Sequence, residues 1–504
     1  MSDMGAAEQL PGRGASADAG PPIEVRSIDW VQLDERHGKV WYQAPFWFMG
    51  NFVLLTMVTG FLGPALGVSL VWSVVAIVLG CSFGTFFAAF HAVQGPRMGM
   101  PQMIQSRAQF GYIGVLVPLL VVLLIYIGFN VFDVLLAARG LDTTISASKW
   151  FWYPVITIFA VLIAIVGHDF LHRVQRLLTV LSILAFGVLT VGALVNLHLG
   201  TLSHKGNFNL TGFLIMFSAA TGYQISYAVY VSDYSRYLPR NTDAGRVIWW
   251  VYLGMAGSAI WLMCLGALIG WAFPSPDAIT SVQQVGNGII GSFDTLVVVL
   301  GAIGLATSMS MNGEGAMLTG VTAVDGFTHV EATRSVRVIG LTVIGLTWMV
   351  LALALPGHFI TDFNNFVIFM LYFLIPWTAV NLVDFYFVRR GHYAITEIFN
   401  PNGLYGRWGW RGLTAYFVAL AAMVPFFSTT IYTGPIAKAM NGIDVSFAVG
   451  LSVAAVLYYA LSRSLDLPAE VRAERASRAE LEAQGGATAV DGHGAGTPLE
   501  GAGV

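Results

Sequence analysis

Charge is scarce in this chain: Asp, Glu, Lys and Arg make up 11% of its 504 residues, against about 25% in ordinary soluble domains. That excludes a conventional solvated globule of this length. Cysteine is nearly absent, and both Cys81 and Cys264 fall inside apolar runs. They read as small hydrophobic side chains rather than as a disulfide framework. Neither sign of charge dominates, with a formal net charge of −3, so nucleic acid is not an expected partner. There is no glycine-rich phosphate loop, no zinc-ligand spacing and no nucleophile elbow, which excludes ATP-driven chemistry within the chain and leaves no catalytic group to assign. The ten histidines lie mainly in loops, tails and at helix ends. A membrane enzyme or a channel is therefore only a distant alternative to the reading below. The first forty residues carry no apolar core of signal-peptide type.

What is present is apolar. Hydrophobic residues make up 56% of the chain and mean hydropathy is +0.70. Twelve stretches reach the roughly 20 residues that a membrane-crossing helix needs, at about 45–68, 70–92, 115–138, 151–167, 175–198, 211–231, 247–273, 292–324, 336–355, 361–388, 412–432 and 444–462. Residues 26–464 thus read as one all-α, twelve-helix membrane domain. Residues 1–25 read as a disordered tail. Residues 465–504 read the same way after a short charged helix around Pro468–Ala483. With both termini placed in the cytoplasm, 21 of the 25 Lys and Arg fall on that side, and only Arg139, Lys149, Lys205 and Lys438 lie outside. This asymmetry fits an even number of spans in the cell membrane.

The third span carries the polar residues that an apolar rod least tolerates. Tyr126, Asn130 and Asp133 are three and four residues apart and share one helix face. An amide and an acid at membrane depth need a cavity or a partner. Together with an aromatic face they suit a flat, uncharged, hydrogen-bonding ring. The acid has a second reading, as one half of a structural ion pair.

Two further spans look interrupted. The first contains Gly50-Asn51, Thr56, Gly60 and Gly63-Pro64, and the sixth contains Gly222, Tyr223, Gln224 and Ser226 near its middle. Interrupted spans at matching places in two halves of a chain point to a transport site; glycines that only let helices approach closely are the plainer reading. The eighth span holds Thr307, Ser308, Ser310, Asn312 and Glu314. Its hydroxyls could coordinate a hard cation with backbone carbonyls, or merely bond back to the preceding turn. Asn312 could read a ring, and Glu314 could carry a proton.

Four stretches then resemble, in order, the nucleobase:cation symporter-1 family in its purine–cytosine permease branch: IEVRSIDWVQLDERHGKVWYQAPFWFMGN before and into span 1, GMPQMIQSRAQFGYIG between spans 2 and 3, YVSDYSRYLPRNTD at the end of span 6, and PWTAVNLVDFYFVRRGHY at the end of span 10. The resemblance covers about Ile23 to Leu465. It implies a LeuT-like fold: inverted repeats of five helices at about 45–198 and 211–388, with two peripheral helices. It implies alternating-access import of a nucleobase, cytosine or a purine, held between helices 1, 3, 6, 8 and 10. Allantoin, a hydantoin, a nucleoside, thiamine or pyridoxine are the alternatives.

By that resemblance Tyr126 stacks on the ring, Asn130 and Asn312 hydrogen-bond it, and Gly222, Tyr223, Gln224 and Thr56 complete the substrate site. The coupling ion is a proton or sodium, with Thr307, Ser308, Asn51, Glu314 and Asp133 as the candidate groups. The family's two sodium-binding hydroxyl positions fall on Ala306 and Thr307, so one is missing, which turns attention to Glu314. Helices 1, 2, 6 and 7 would rock against helices 3, 4, 8 and 9. Asp233 with Arg236, and Asp384 with Arg389, sit where cytoplasmic gate pairs would form. No organic cofactor and no obligatory protein partner is expected; lipid is the surrounding partner.

Overall fold

The computed structural model describes residues 30–166, 168–195, 208–275, 277–327, 333–355 and 359–491. The tail expected at 1–25 and the last residues of the chain lie outside these ranges. Among the described residues there is no named strand. The helices are α1 (Val40–Asn51), α2 (Leu54–Ala65), α3 (Leu70–Ala92), α4 (Leu116–Asp142), α5 (Lys149–Val166), α6 (His168–Val195), α7 (Leu210–Ile225) and α8 (Val231–Ser235). They continue with α9 (Ala244–Ala272), α10 (Ala278–Asn287), α11 (Phe293–Asp325), α12 (Arg334–Ala354), α13 (Phe359–Val383), α14 (Trp410–Met423), α15 (Ser446–Ser462) and α16 (Leu467–Asp491). Every expected apolar stretch carries helix. By length and hydropathy alone seven helical segments can cross a membrane, or nine if two sharply bent pairs each count as one span.

The helices sort into two packed groups. α1 and α2 pack on α9, and α3 packs on both α7 and α9. In the second group α4 packs on α11, and α5 packs on α11 and α12. α13 touches both groups, reaching α7 and α4, and is backed by α14 and α15. These are the two bodies expected to move against each other.

Glycine sets the closest contact inside the first group. A Cβ on Gly60 would stand 1.9 Å from the Met263 carbonyl oxygen, and one on Gly266 would stand 1.8 Å from that of Met57. These glycines therefore serve packing of α2 on α9, and the break in span 1 lies elsewhere. Gly266→Ala is expected to cost at least about 1–3 kcal/mol of overpacking. It would appear as loss of the monodisperse peak and a lower melting temperature in detergent; an unchanged melting curve would refute the contact.

α16 departs from expectation. It runs Leu467–Asp491 where a helix of about Pro468–Ala483 was expected, and it turns 87° from α15. Its charges (Glu470, Arg472, Glu474, Arg475, Arg478) forbid a continued membrane crossing, so it lies along a face of the molecule. There Glu470 meets Arg389 and the Ser477 hydroxyl accepts from the Thr396 N–H.

Candidate functional site

The break in span 1 lies at Phe52-Val53, where Val53 is extended (φ −125°, ψ 158°) and the flanking helices bend by 67°. Broken helix frees carbonyls that lipid cannot satisfy. Side chains meet them here. The Thr56 hydroxyl donates to Asn51 O at 2.6 Å, and the Tyr227 hydroxyl donates to Gly50 O at 3.2 Å. Span 6 is interrupted later than its glycine suggested. α7 ends at Ile225, a 3-10 turn covers Ser226–Val229, and Tyr230 sits at φ −141°, ψ 7° before α8.

Asn51 and Gln224, both fully buried, face each other amide to amide. Asn51 Nδ2 donates to Gln224 Oε1 and Gln224 Nε2 donates to Asn51 Oδ1, each at 3.3 Å. Asn51 also donates to Met255 O, and the Thr85 hydroxyl donates to Gln224 Oε1. The Thr56 hydroxyl lies 2.7 Å from that of Tyr223. Asn51, Thr56, Tyr223 and Gln224 therefore satisfy one another inside the first helix group, and Gly222 packs against the Val367 carbonyl of α13.

Across from them, α4 and α11 meet through their amides. Asn130 Nδ2 donates to Met309 O at 3.0 Å, and Asn312 Nδ2 donates to Asn130 Oδ1 at 3.1 Å. Among the described residues this is the one side-chain hydrogen bond of Asn312, which is only partly buried, so its carbonyl oxygen and second N–H remain available to a ligand. The Tyr126 ring occupies the space left by Gly315, where a Cβ would come within 2.6 Å of Tyr126 Cζ. On its other side it tilts against Tyr230, centroids 5.6 Å apart at 33°. Trp47 continues the aromatic wall, 6.1 Å from both Tyr227 and Tyr230. Sequence reasoning missed Trp47, Tyr227 and Tyr230. The spacing of Tyr223, Tyr227, Tyr230 and Tyr234 by four, three and four residues was the available signal, since it lays one aromatic stripe along a helical face.

Asp133 lies one turn beyond Asn130, 1% exposed, and among the described residues its Oδ1 has no hydrogen-bond partner. It lies within electrostatic reach of the Tyr223 and Tyr227 hydroxyls, and no base is paired with it among the described residues, so the ion-pair reading loses its partner.

Glu314 is elsewhere. It pairs with Arg337 of α12 at 2.7 Å, and Arg337 also donates to Ala164 O of α5. Two residues from Asn312 on a helix means about 200° around it, so Glu314 turns into the second helix group. Glu314 and Asn312 thus lie on different faces of α11, and Glu314 is held by Arg337. The Thr307 hydroxyl bonds back to Gly304 O at 2.7 Å and that of Ser310 to Thr307 O at 2.7 Å, the plainer of the two readings. Ser308 is half-buried. No cluster of His, Cys, Asp and Glu that could hold a metal ion occurs among the described residues.

The four residues expected to form gate pairs lie in two separate clusters. Asp384 and Arg389 pair at 2.6 Å, but within the end of α13. Tyr393, Tyr458 and Gln109 bond Asp384, and Glu470 of α16 bonds Arg389. That cluster ties α15, α16 and the turn at Gln109 to the end of α13. Asp233 accepts from the Gln102 N–H at 2.8 Å, and Arg236 lies over Tyr237. Neutral groups also tie this face together. Gln102 donates to Gln94 Oε1 at 2.6 Å, Gln94 donates to Asn381 at 2.7 Å, and the Ser232 hydroxyl donates to Gln102 Oε1 at 2.6 Å. His91 reaches Thr378 at 2.7 Å and stacks on Trp377.

Residues 31–450 match the family described as permease for cytosine/purines, uracil, thiamine and allantoin. YxlA of Bacillus subtilis, a purine-cytosine permease by assignment, is 39% identical over 445 residues, covering 88% of this chain and 96% of that one. The purine-cytosine permease fcyB of Emericella nidulans is 25% identical over 469 residues, covering 87% and 88%. Among solved structures, Mhp1, a nucleobase-cation-symport-1 family transporter, in a closed conformation with bromovinylhydantoin bound, superposes with a TM-score of 0.70 at 20% identity, covering 89% of this chain and 98% of that one. The all-helical, LeuT-like architecture expected from the sequence is thus found, with seven to nine of the expected twelve spans long and apolar enough to cross a membrane among the described residues.

Proposed function

This chain belongs to the permease family for cytosine/purines, uracil, thiamine and allantoin, and on that premise we propose that it imports a nucleobase, cytosine or a purine, together with a proton by alternating access. It is a multi-pass membrane transporter and not an enzyme. The observation that carries the substrate reading is the meeting of Asn130 and Asn312 beside Tyr126. In this reading Tyr230 and Trp47 move away from Tyr126, from the 5.6 Å that separates the Tyr126 and Tyr230 rings here, to form the opposing wall, and the base stacks on Tyr126, worth about 1–3 kcal/mol for a base on an aromatic ring. Asn312 reads its donor and acceptor edge, and Asn130 holds Asn312 in place. Gln224 and Asn51 act as a tie within the moving helix group.

The proton reading rests on Asp133, a buried acid without a counter-charge among the described residues, which membrane burial tolerates only in its neutral form. Thr307 and Ala306 offer sodium a poor set of oxygens. The reading places both termini in the cytoplasm and the protein in the cell membrane, as the Lys/Arg asymmetry favours.

The test is uptake of radiolabelled cytosine into liposomes holding the purified protein, with proton and sodium gradients imposed separately and adenine, hypoxanthine, uracil, allantoin and pyridoxine as competitors. Accumulation on a proton gradient alone, relieved by a purine, is expected. Accumulation that requires sodium would overturn the proton assignment. Competition by pyridoxine or allantoin but by no nucleobase would overturn the substrate assignment.

A further inference from the structure

α16 does not seal the face it crosses. Between it, the stretch at Trp30–Arg36, the helix Gln94–Met98 and the turn after α13 lies a cleft enclosing about 470 Å³ of open space, its mouth included. Four arginines line it, Arg36, Arg97, Arg240 and Arg478, against two carboxylates, Glu474 and Glu482. The carboxylates do not neutralise the set. Glu474 is shared by His392 at 2.9 Å and by Arg478, and it stands 3.9 Å from Arg240. Arg36 is buried and donates only to neutral acceptors, Val31 O at 3.0 and 2.7 Å and Pro96 O at 3.0 Å. Arg97 is exposed and has no hydrogen bond or ion pair among the described residues.

Burial first, and neighbouring arginines second, disfavour the charge at two of the four. Burial, and then Arg240, hold the Arg36 guanidinium down to about 10. Arg240 is lowered by burial and then by Arg478, with Arg97 adding to the effect and Glu474 and Glu482 opposing it. Like charges gathered in a partly dry cleft, with fewer counter-charges than cations, are stabilised by an anion. Guanidinium forks match the paired oxygens of a phosphate. Arg36 is also fixed by the backbone beneath it. Gly99 sits at φ +69°, and a Cβ there would come within 1.7 Å of Arg36 Nη2.

We propose that this cleft binds a phosphate group, carried either by a soluble anion or by the headgroup of an anionic phospholipid. The bound phosphate bridges Arg478 of α16 to Arg97 and Arg240 next to the first helix group, and so holds α16 against this closed face. The site lies apart from the Tyr126–Asn312 site, and its test does not read transport.

The full-length protein is placed in nanodiscs of zwitterionic phosphatidylcholine and titrated with inorganic phosphate against chloride at constant ionic strength. Melting temperature and the fluorescence of Trp30, which lines the cleft, are read. A saturable rise in both is expected, with the dissociation constant raised roughly tenfold or more in Arg97→Gln and in Arg240→Gln, the loss of one charged contact. In a second arm phosphatidylglycerol replaces part of the lipid and no phosphate is added. A rise there that Arg97→Gln removes, with free phosphate then adding nothing, identifies a headgroup as the ligand. No response of the wild-type protein in either arm, or responses of the two variants equal to that of the wild type, would overturn the site.

Discussion

Asp133→Asn leaves the protein able to exchange nucleobase across a membrane but unable to accumulate it. Asparagine keeps the shape of the protonated acid and cannot release a proton. If Asp133 must be neutral for the substrate-loaded protein to cross between its two faces, the variant is permanently in that state. One pH unit across the membrane is worth about 1.4 kcal/mol, so a one-to-one symporter accumulates substrate about tenfold per unit, and the variant brings that ratio to about one. Counterflow of labelled cytosine against unlabelled cytosine continues. The measurement pairs proton-driven accumulation with counterflow in the same liposomes. Accumulation unchanged in the variant would place the proton on another group. Loss of both activities would mean that Asp133 serves structure, despite the unpartnered Oδ1 that marks it out.

The second large effect is expected at the amide pair. Asn312→Ala removes the available carbonyl oxygen and N–H and leaves a bound base with unmet donors and acceptors in a dry site. Each such buried orphan costs about 1–3 kcal/mol, so the binding constant for cytosine weakens by roughly tenfold to a hundredfold. Asn130→Ala acts at one remove. It takes away the acceptor that orients Asn312 and the bond to Met309 O, so Asn312 gains rotamers that do not face the ligand and affinity falls by less. Equilibrium binding of radiolabelled cytosine to protein of matched purity checks the order. A larger loss in Asn130→Ala than in Asn312→Ala would reverse the roles given to the two amides.

Much of this site was legible because membrane burial makes polar residues conspicuous. Tyr126, Asn130 and Asp133 stand out in an apolar helix, and their spacing alone puts them on one face. Span 1 was legible as broken, though the position was not. Gly60 drew attention, yet it packs on Met263, and the chain breaks at Phe52-Val53, two apolar residues with no sequence mark. The surroundings of Glu314 were not legible from its type, because an acid in a membrane is conspicuous whichever way it points, and its direction was readable only by counting helical positions from Asn312. The partner of Gln224 was hidden for a related reason. An amide near a suspected break looks available, and only the structure puts Asn51 across from it. The aromatic wall of Tyr227 and Tyr230 was written in a regular spacing that went unused. The docking of α16 could not be read at all, since a charged helix has the same sequence pattern whether it lies in water or against Arg389.

The seam between α2 and α9 bears on how such a chain can change over generations. What meets Gly60 and Gly266 is backbone carbonyl, not side chain. No substitution on the facing helix can make room, because every amino acid brings the same carbonyl. These two positions are therefore closed to compensating change, whereas Tyr126 with Tyr230, and Asn130 with Asn312, meet through side chains and can be traded in pairs. Descendants of this sequence are free to acquire new cargo long before they can alter the seam that holds the first helix group together.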